Sequence, residues 1–222
     1  MFSNISLANI IFYLACLAGV LFVFYKWRMA ARKRFIQRYE FPNRVRRQVL
    51  KAYPQLQETD VETVIDGLKQ YFKMNLLAKG RPVSMPSQAV DVAWHEFILF
   101  TRQYETFCKA GLGRFLHHTP AEAMKSKSVA QEGIKRAWRL ACYFEDMKPN
   151  QAHRLPLIFD LDRRLNIADG FHYQLNCQLK NGHANSSGYC ASHIGCSSGC
   201  AGSSSAGGCS SSDGCSGGCG GD

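Results

Sequence analysis

"TDVETVIDGLKQYFKMNLLAKG", residues 59–80, decides the fold class. Apolar side chains fall at 61, 64, 65, 68, 71 and 72, the spacing of one face of a helix and not the alternation of a strand. Thr59 and Glu62 stand at capping-box spacing, and Gly80 followed by Pro82 supplies the stop. The segments around it read the same way. "NRVRRQVLKAY" opens at Asn43 and stops at Pro54. A longer helix takes Ser87 as its N-cap and runs to about Lys109, where Gly111 and Gly113 break it. "TPAE", residues 119–122, is a capping box with proline at the first helical position. "SVAQEGIKRAWRLACYFEDM" follows from Ser128, and "LPLIFDLDRRLNI" adds a shorter segment before Gly170. No run alternates long enough to require a sheet. The soluble part is expected to be all-α and large enough to bury a core.

Both ends depart from this pattern. Ile5–Tyr25 reads "ISLANIIFYLACLAGVLFVFY", and residues 1–25 carry no charged side chain. About 20 apolar residues are enough to cross the hydrocarbon of a bilayer as a helix. A cleaved signal peptide would need a basic leader, a shorter apolar core and a small-residue cleavage site, none of which is present. Residues 26–51 then hold ten Lys or Arg against the single acid Glu40, which predicts an N-terminus outside and everything after Lys26 inside. Lys26, Arg28, Arg32, Lys33, Arg34 and Arg38 are the expected contacts with anionic lipid headgroups. That reading explains much of the +10 formal charge without nucleic acid. The expected division is an anchor over 1–27, a basic juxtamembrane segment over 28–42, a helical domain over 43–175 and a tail over 176–222.

The tail is a low-complexity segment. Of the 42 residues from Asn181 to Asp222, 12 are Gly, 12 Ser and six Cys, so it is expected to be disordered. Its cysteines nevertheless repeat. "CASHIGCSSGC" (190–200) and "CSSSDGCSGGC" (209–219) share the spacing C-x5-C-x3-C. Cys190, His193, Cys196 and Cys200, with Cys209, Cys215 and Cys219 in the second copy, form a soft ligand set suited to zinc or copper(I). A plain flexible tail made by duplication is the competing reading. A cytosolic setting keeps thiols reduced, so ligands or inert thiols are expected before disulfides.

"DVAWHEFILF", residues 91–100, carries the chemistry of the domain. At about 100° per residue, Asp91, His95 and Arg102 cluster on one margin of a broad apolar arc. A histidine oriented by a carboxylate serves both metal sites and general bases. The plain alternative is a helix-edge ion pair. His117 and His118 lie in the connection before the next helix and could complete a mixed nitrogen and oxygen set for zinc or iron, with Asp160 or Asp162 as further donors. Cys108 sits within the apolar arc, where a free cysteine behaves as a small hydrophobe.

The run "DVAWHEFILFTRQYETFCKAGLGRFLHHTP" resembles the glycine-rich domain-containing protein-like family, known in plants and in bacteria. The matching features are Asp91, Trp94, His95, Tyr104, Cys108, Gly113, His118 and Pro120. The resemblance extends from about residue 42 to 173 through "LPLIFDLD" and "GFHY". It implies a helical domain and no particular catalytic mechanism. Together with the anchor, it places the chain in a bacterial inner membrane, domain and tail inward. Two functions follow from the sequence: a tethered, non-enzymatic module that binds an unidentified protein partner and carries a metal-binding tail, or a metal-dependent enzyme centred on Asp91, His95 and His117 or His118.

Overall fold

The computed structural model describes residues 7–118, 127–175, 189–190 and 194. Helix α1 spans Leu7–Arg38, and its apolar portion is bare, with Ile11, Phe12, Leu21, Phe22 and Trp27 all exposed. It is long and apolar enough to cross a membrane. The basic segment expected after the span as a separate piece is the continuation of the same helix. From Lys26 to Arg38 it projects about 20 Å beyond Tyr25. Its end is built into the domain. Ile36 is fully buried, and Phe35 and Tyr39 join Phe41, Phe72, Phe97 and Phe107 in an aromatic cluster.

Helices α2 (Asn43–Ala52), α3 (Glu58–Ala78), α4 (Gln88–Ile98), α5 (Thr101–Phe107), α6 (Lys127–Phe144) and α7 (Leu157–Arg164) follow. The all-helical expectation holds for the domain, apart from one parallel pairing. Strand β1 (Tyr173–Gln174) bonds to β2 (Tyr189–Cys190). α3 is the central element, with Val61, Val64, Ile65, Leu68 and Phe72 buried, so its predicted apolar face is the core face. Gly67 lets two helices close on it: a Cβ there would lie 2.9 Å from Val90 Cγ2 and 3.0 Å from Leu161 Cδ1. The cap lies slightly earlier than the sequence suggested. Asp60 Oδ2 accepts from Gln57 N–H at 2.9 Å, and Thr59 lies inside the helix.

The long helix expected from Ser87 to Lys109 is two helices. Ser87 is the N-cap, its Oγ accepting from Val90 N–H at 3.3 Å. The chain then breaks at Leu99 and Phe100 and restarts at Thr101. The reason is packing. In one continuous helix Phe107 would lie about 140° from Trp94, yet both are buried in the same core. The break rotates α5 back, leaves Leu99 exposed, and hands over to a π-helical turn at Cys108–Leu112. Gly113 closes that turn with φ 74°, and the Arg32 guanidinium of α1 fills the space where a Cβ would stand.

Asp162 ties α7 to the start of α4. Its buried carboxylate accepts from Ser87 Oγ–H (2.6 Å), Gln88 N–H (2.7 Å), Ala89 N–H (3.3 Å) and Phe171 N–H (2.9 Å). Unpaired donors at a helix N-terminus are thereby satisfied from a residue remote in sequence. Asp162→Ala leaves these donors without a partner and is expected to destabilise the domain by about 3 kcal/mol or more. Thermal unfolding followed by circular dichroism measures this, and an unchanged midpoint would contradict it.

Candidate metal centre

α4 carries Asp91 and His95 one turn apart on its outer margin, as the sequence predicted. The segment after the π-helical turn folds back and delivers His118 to the same place. His95 Nε2 and His118 Nε2 lie 2.9 Å apart. Asp91 Oδ1 is 3.5 Å from His118 Nε2, and Asp91 Oδ2 is 3.6 Å from His95 Nδ1. One ligand atom from each residue can be chosen so that all lie within 4.8 Å of one another. The Asp91 distances are those of an ion pair or a shared cation, longer than a hydrogen bond. The His–His distance is that of an N–H···N bond, which requires one ring to carry its proton on Nε2 and the other to present a lone pair there. A cation can replace that single proton and use both lone pairs.

The pocket is open on one side. The His95 side chain is 52% exposed, whereas those of His118 and Asp91 are 19% and 21%. Its inner wall is aromatic. The His118 ring meets Trp94 edge-on at 4.7 Å and His95 at 4.2 Å. Trp94 does more than fill space. Its indole Nε1–H donates to the Tyr104 hydroxyl at 3.1 Å, and that hydroxyl donates to the Leu116 carbonyl at 2.6 Å. A buried relay thus runs from the residue beside His95 to the backbone two residues before His118. Arg114 adds a second tie, donating to the Asn75 carbonyl of α3. Burial raises the Tyr104 phenol well above its usual range, so it stays protonated and able to donate. Burial does the same for Tyr53, reinforced by Asp169 and, more weakly, by Asp162 and Asp91.

The remaining sequence candidates separate. His117 is exposed, on the other side of the segment, with its ring against Phe115. Arg102 leaves the cluster because the break at Leu99 and Phe100 changes the phase of α5. It lines an open groove with Tyr39, Glu40 and Phe41, and among the described residues no ion pair joins it to Asp91. Asp162 serves as the cap already described, and Asp160 is paired with Arg163 and Arg164. Glu96, the neighbour of His95, is buried and points the other way, with Arg44 Nε of α2 2.6 Å from its Oε1. Cys108 is fully buried and its thiol is raised by that burial; Cys142 is pushed up to about 12. Neither is a reactive thiolate, as the apolar position of Cys108 predicted. Of the tail candidates, Cys190 contributes backbone to β2, while His193, Cys196, Cys200, Cys209, Cys215 and Cys219 lie outside the described residues. Sequence reasoning passed over the Tyr104 relay, whose only local signal is a tyrosine ten residues beyond a tryptophan.

Fold and site together define a helical domain, fused to a long apolar N-terminal helix, with an open cluster of two histidines and one carboxylate. The chain belongs to the UCP032817-like family, which matches residues 31–194. No curated protein and no solved structure matches it. The family boundaries agree with the packing: they begin inside the projecting part of α1 and end at Ile194, which is 1% exposed.

Tyr104→Phe removes the relay while keeping the ring. It is expected to weaken zinc or cobalt binding by about tenfold or more through loosening of the His118 segment, with little change in helix content. Titration calorimetry against Tyr143→Phe, an exposed tyrosine of α6, measures the effect; equal affinities in the two variants would show that the relay does not position His118.

Proposed function

We propose that this protein is a single-pass, membrane-anchored domain, facing the cytoplasm, that holds a divalent transition metal at Asp91, His95 and His118. The observation that carries this reading is the 2.9 Å approach of the two Nε2 atoms with the Asp91 carboxylate beside them. For a metal bonded at about 2.0–2.1 Å to each imidazole, that separation corresponds to an angle of about 90° between them. Two imidazoles and one carboxylate suit zinc or iron better than calcium or magnesium, which prefer all-oxygen sets. Three protein donors leave coordination open, and the exposed side of His95 gives that opening an outlet to solvent. This is the arrangement of a centre that binds or activates a further molecule, polarising its oxygen or lowering the pKa of a bound water.

Topology supports the rest of the reading. Positive residues after Tyr25 keep that side cytoplasmic, with Lys26, Arg28, Arg32, Lys33, Arg34 and Arg38 along the emerging stem. The likeness of residues 89–120 to the glycine-rich domain-containing protein-like family fits a bacterial member of that group and assigns no reaction. The cysteine-rich tail is read as an accessory arm able to take zinc or copper(I). A non-enzymatic module that docks a protein partner is the second reading. It is favoured by the groove of Phe35, Tyr39, Phe41, Phe107 and Arg102 at the junction of α1 and α5.

The test is metal content of the full chain in detergent, with Cys196, Cys200, Cys209, Cys215 and Cys219 replaced by serine to remove the tail thiols beyond β2. We expect about one metal per chain, lost in His95→Ala and in His118→Ala and retained in His117→Ala. Metal that survives the His95→Ala/His118→Ala double substitution, or that is absent from every form, would overturn the assignment. Binding should also weaken on acidification, because imidazole ligates only when neutral.

A further inference from the structure

We propose that the folded domain is itself seated on anionic lipid headgroups through Lys79, Arg81, Arg136 and Arg139; this rests on the reading of α1 as a membrane span. The orientation comes from contacts along the stem. Lys73 Nζ of α3 donates to Gln37 Oε1 at 2.9 Å, and Lys79 Nζ, at the far end of α3, lies 5.3 Å over the ring of Tyr25. α3 therefore runs antiparallel to the stem, and its C-terminus comes down beside the last residue of the apolar run.

α6 packs against the same end of α3. Lys33 Nζ stands 5.6 Å over the Phe144 ring at the end of α6, farther up the stem. The N-terminal half of α6 meets the turn after α3: Ser84 Oγ–H donates to the Ala130 carbonyl at 3.1 Å, and Arg136 donates to the Pro82 carbonyl. Arg81 and Arg139 consequently lie close enough to Arg136 to act on its charge, with Lys79 two residues before Arg81.

Among the described residues, few acids oppose this concentration of cations. Burial lowers the Arg136 guanidinium, and the adjacent Arg81 and Arg139 lower it further; Glu132 is the acid that opposes them. Glu132 also has Lys135 at 4.0 Å. Arg81 donates to the Ala78 carbonyl, a neutral acceptor. Like charges held together by a fold gain most from an external anion, and the surface at the level of Tyr25 is the headgroup layer. Tyrosine and tryptophan favour that layer, which fits Tyr25 and Trp27. Lipid phosphate is thus the chemistry that completes the patch.

The experiment uses the full chain in lipid nanodiscs of phosphatidylcholine alone or with phosphatidylglycerol, exposed to a water-soluble amine-acetylating reagent and read by mass spectrometry at Lys79. Lys109 is the internal control: it sits on the π-helical turn packed near Phe35 and Ile36, about 15 Å farther along the stem. We expect Lys79 to react about fivefold more slowly in the anionic discs, with Lys109 unaffected. High salt or Arg139→Glu should erase the difference. Equal reactivity of Lys79 in both lipids, or equal protection of Lys109, would overturn the docking while leaving the anchor intact. Failure of the chain to enter nanodiscs at all would overturn the anchor and the docking together.

Discussion

The Asp162 carboxylate is the constraint on which the site depends. A charged group with 1% exposure is tolerable only because four donors surround it, three of them from the start of α4. Those bonds fix where α4 begins and therefore the direction in which Asp91 and His95 project, one and two turns later. The fourth, from Phe171 N–H, ties in the chain that leads to β1. Without this carboxylate, α4 would still bury Val90, Trp94 and Phe97, but its N-terminal donors would lose their hydrogen bonds to α7.

A second constraint closes the site from the other direction. Tyr104 is placed under Trp94 because the chain breaks at Leu99 and Phe100, and its hydroxyl then holds the Leu116 carbonyl. The same break that rotates Arg102 away brings His118 in. Both outcomes follow from one demand, that Trp94 and Phe107 share a core, so the site is a by-product of aromatic packing. The stem takes part too, with Ile36 and Arg32 lying against the π-helical turn from which this segment departs.

What was legible in the sequence was local. The apolar span, the buried face of α3, the Ser87 cap and the pairing of Asp91 with His95 follow from periodicity and spacing within a few residues. What was not legible depends on distant partners. The helix break has no glycine or proline to announce it, and a wheel drawn through it assigns Arg102 to the wrong face. Adjacent His117 and His118 are equivalent as sequence; only the packing of Leu116 decides which one faces Trp94. Asp162 looks like a free carboxylate until Ser87, 75 residues away, is seen beside it. The pairing of Tyr189 and Cys190 with β1 and the burial of Ile194 depend on distant partners in the same way, since all three sit in glycine- and serine-rich sequence.

The proposed reading leaves two places where a soft or borderline cation could reside, the Asp91, His95 and His118 cluster and the thiols of the tail. X-ray absorption spectroscopy of the full-length, zinc-loaded chain at one equivalent separates them. The account predicts a shell of nitrogen and oxygen scatterers at about 2.0–2.1 Å with the outer-shell pattern of imidazole. A dominant sulfur shell at about 2.3 Å would place the metal on the tail thiols and contradict the assignment to Asp91, His95 and His118.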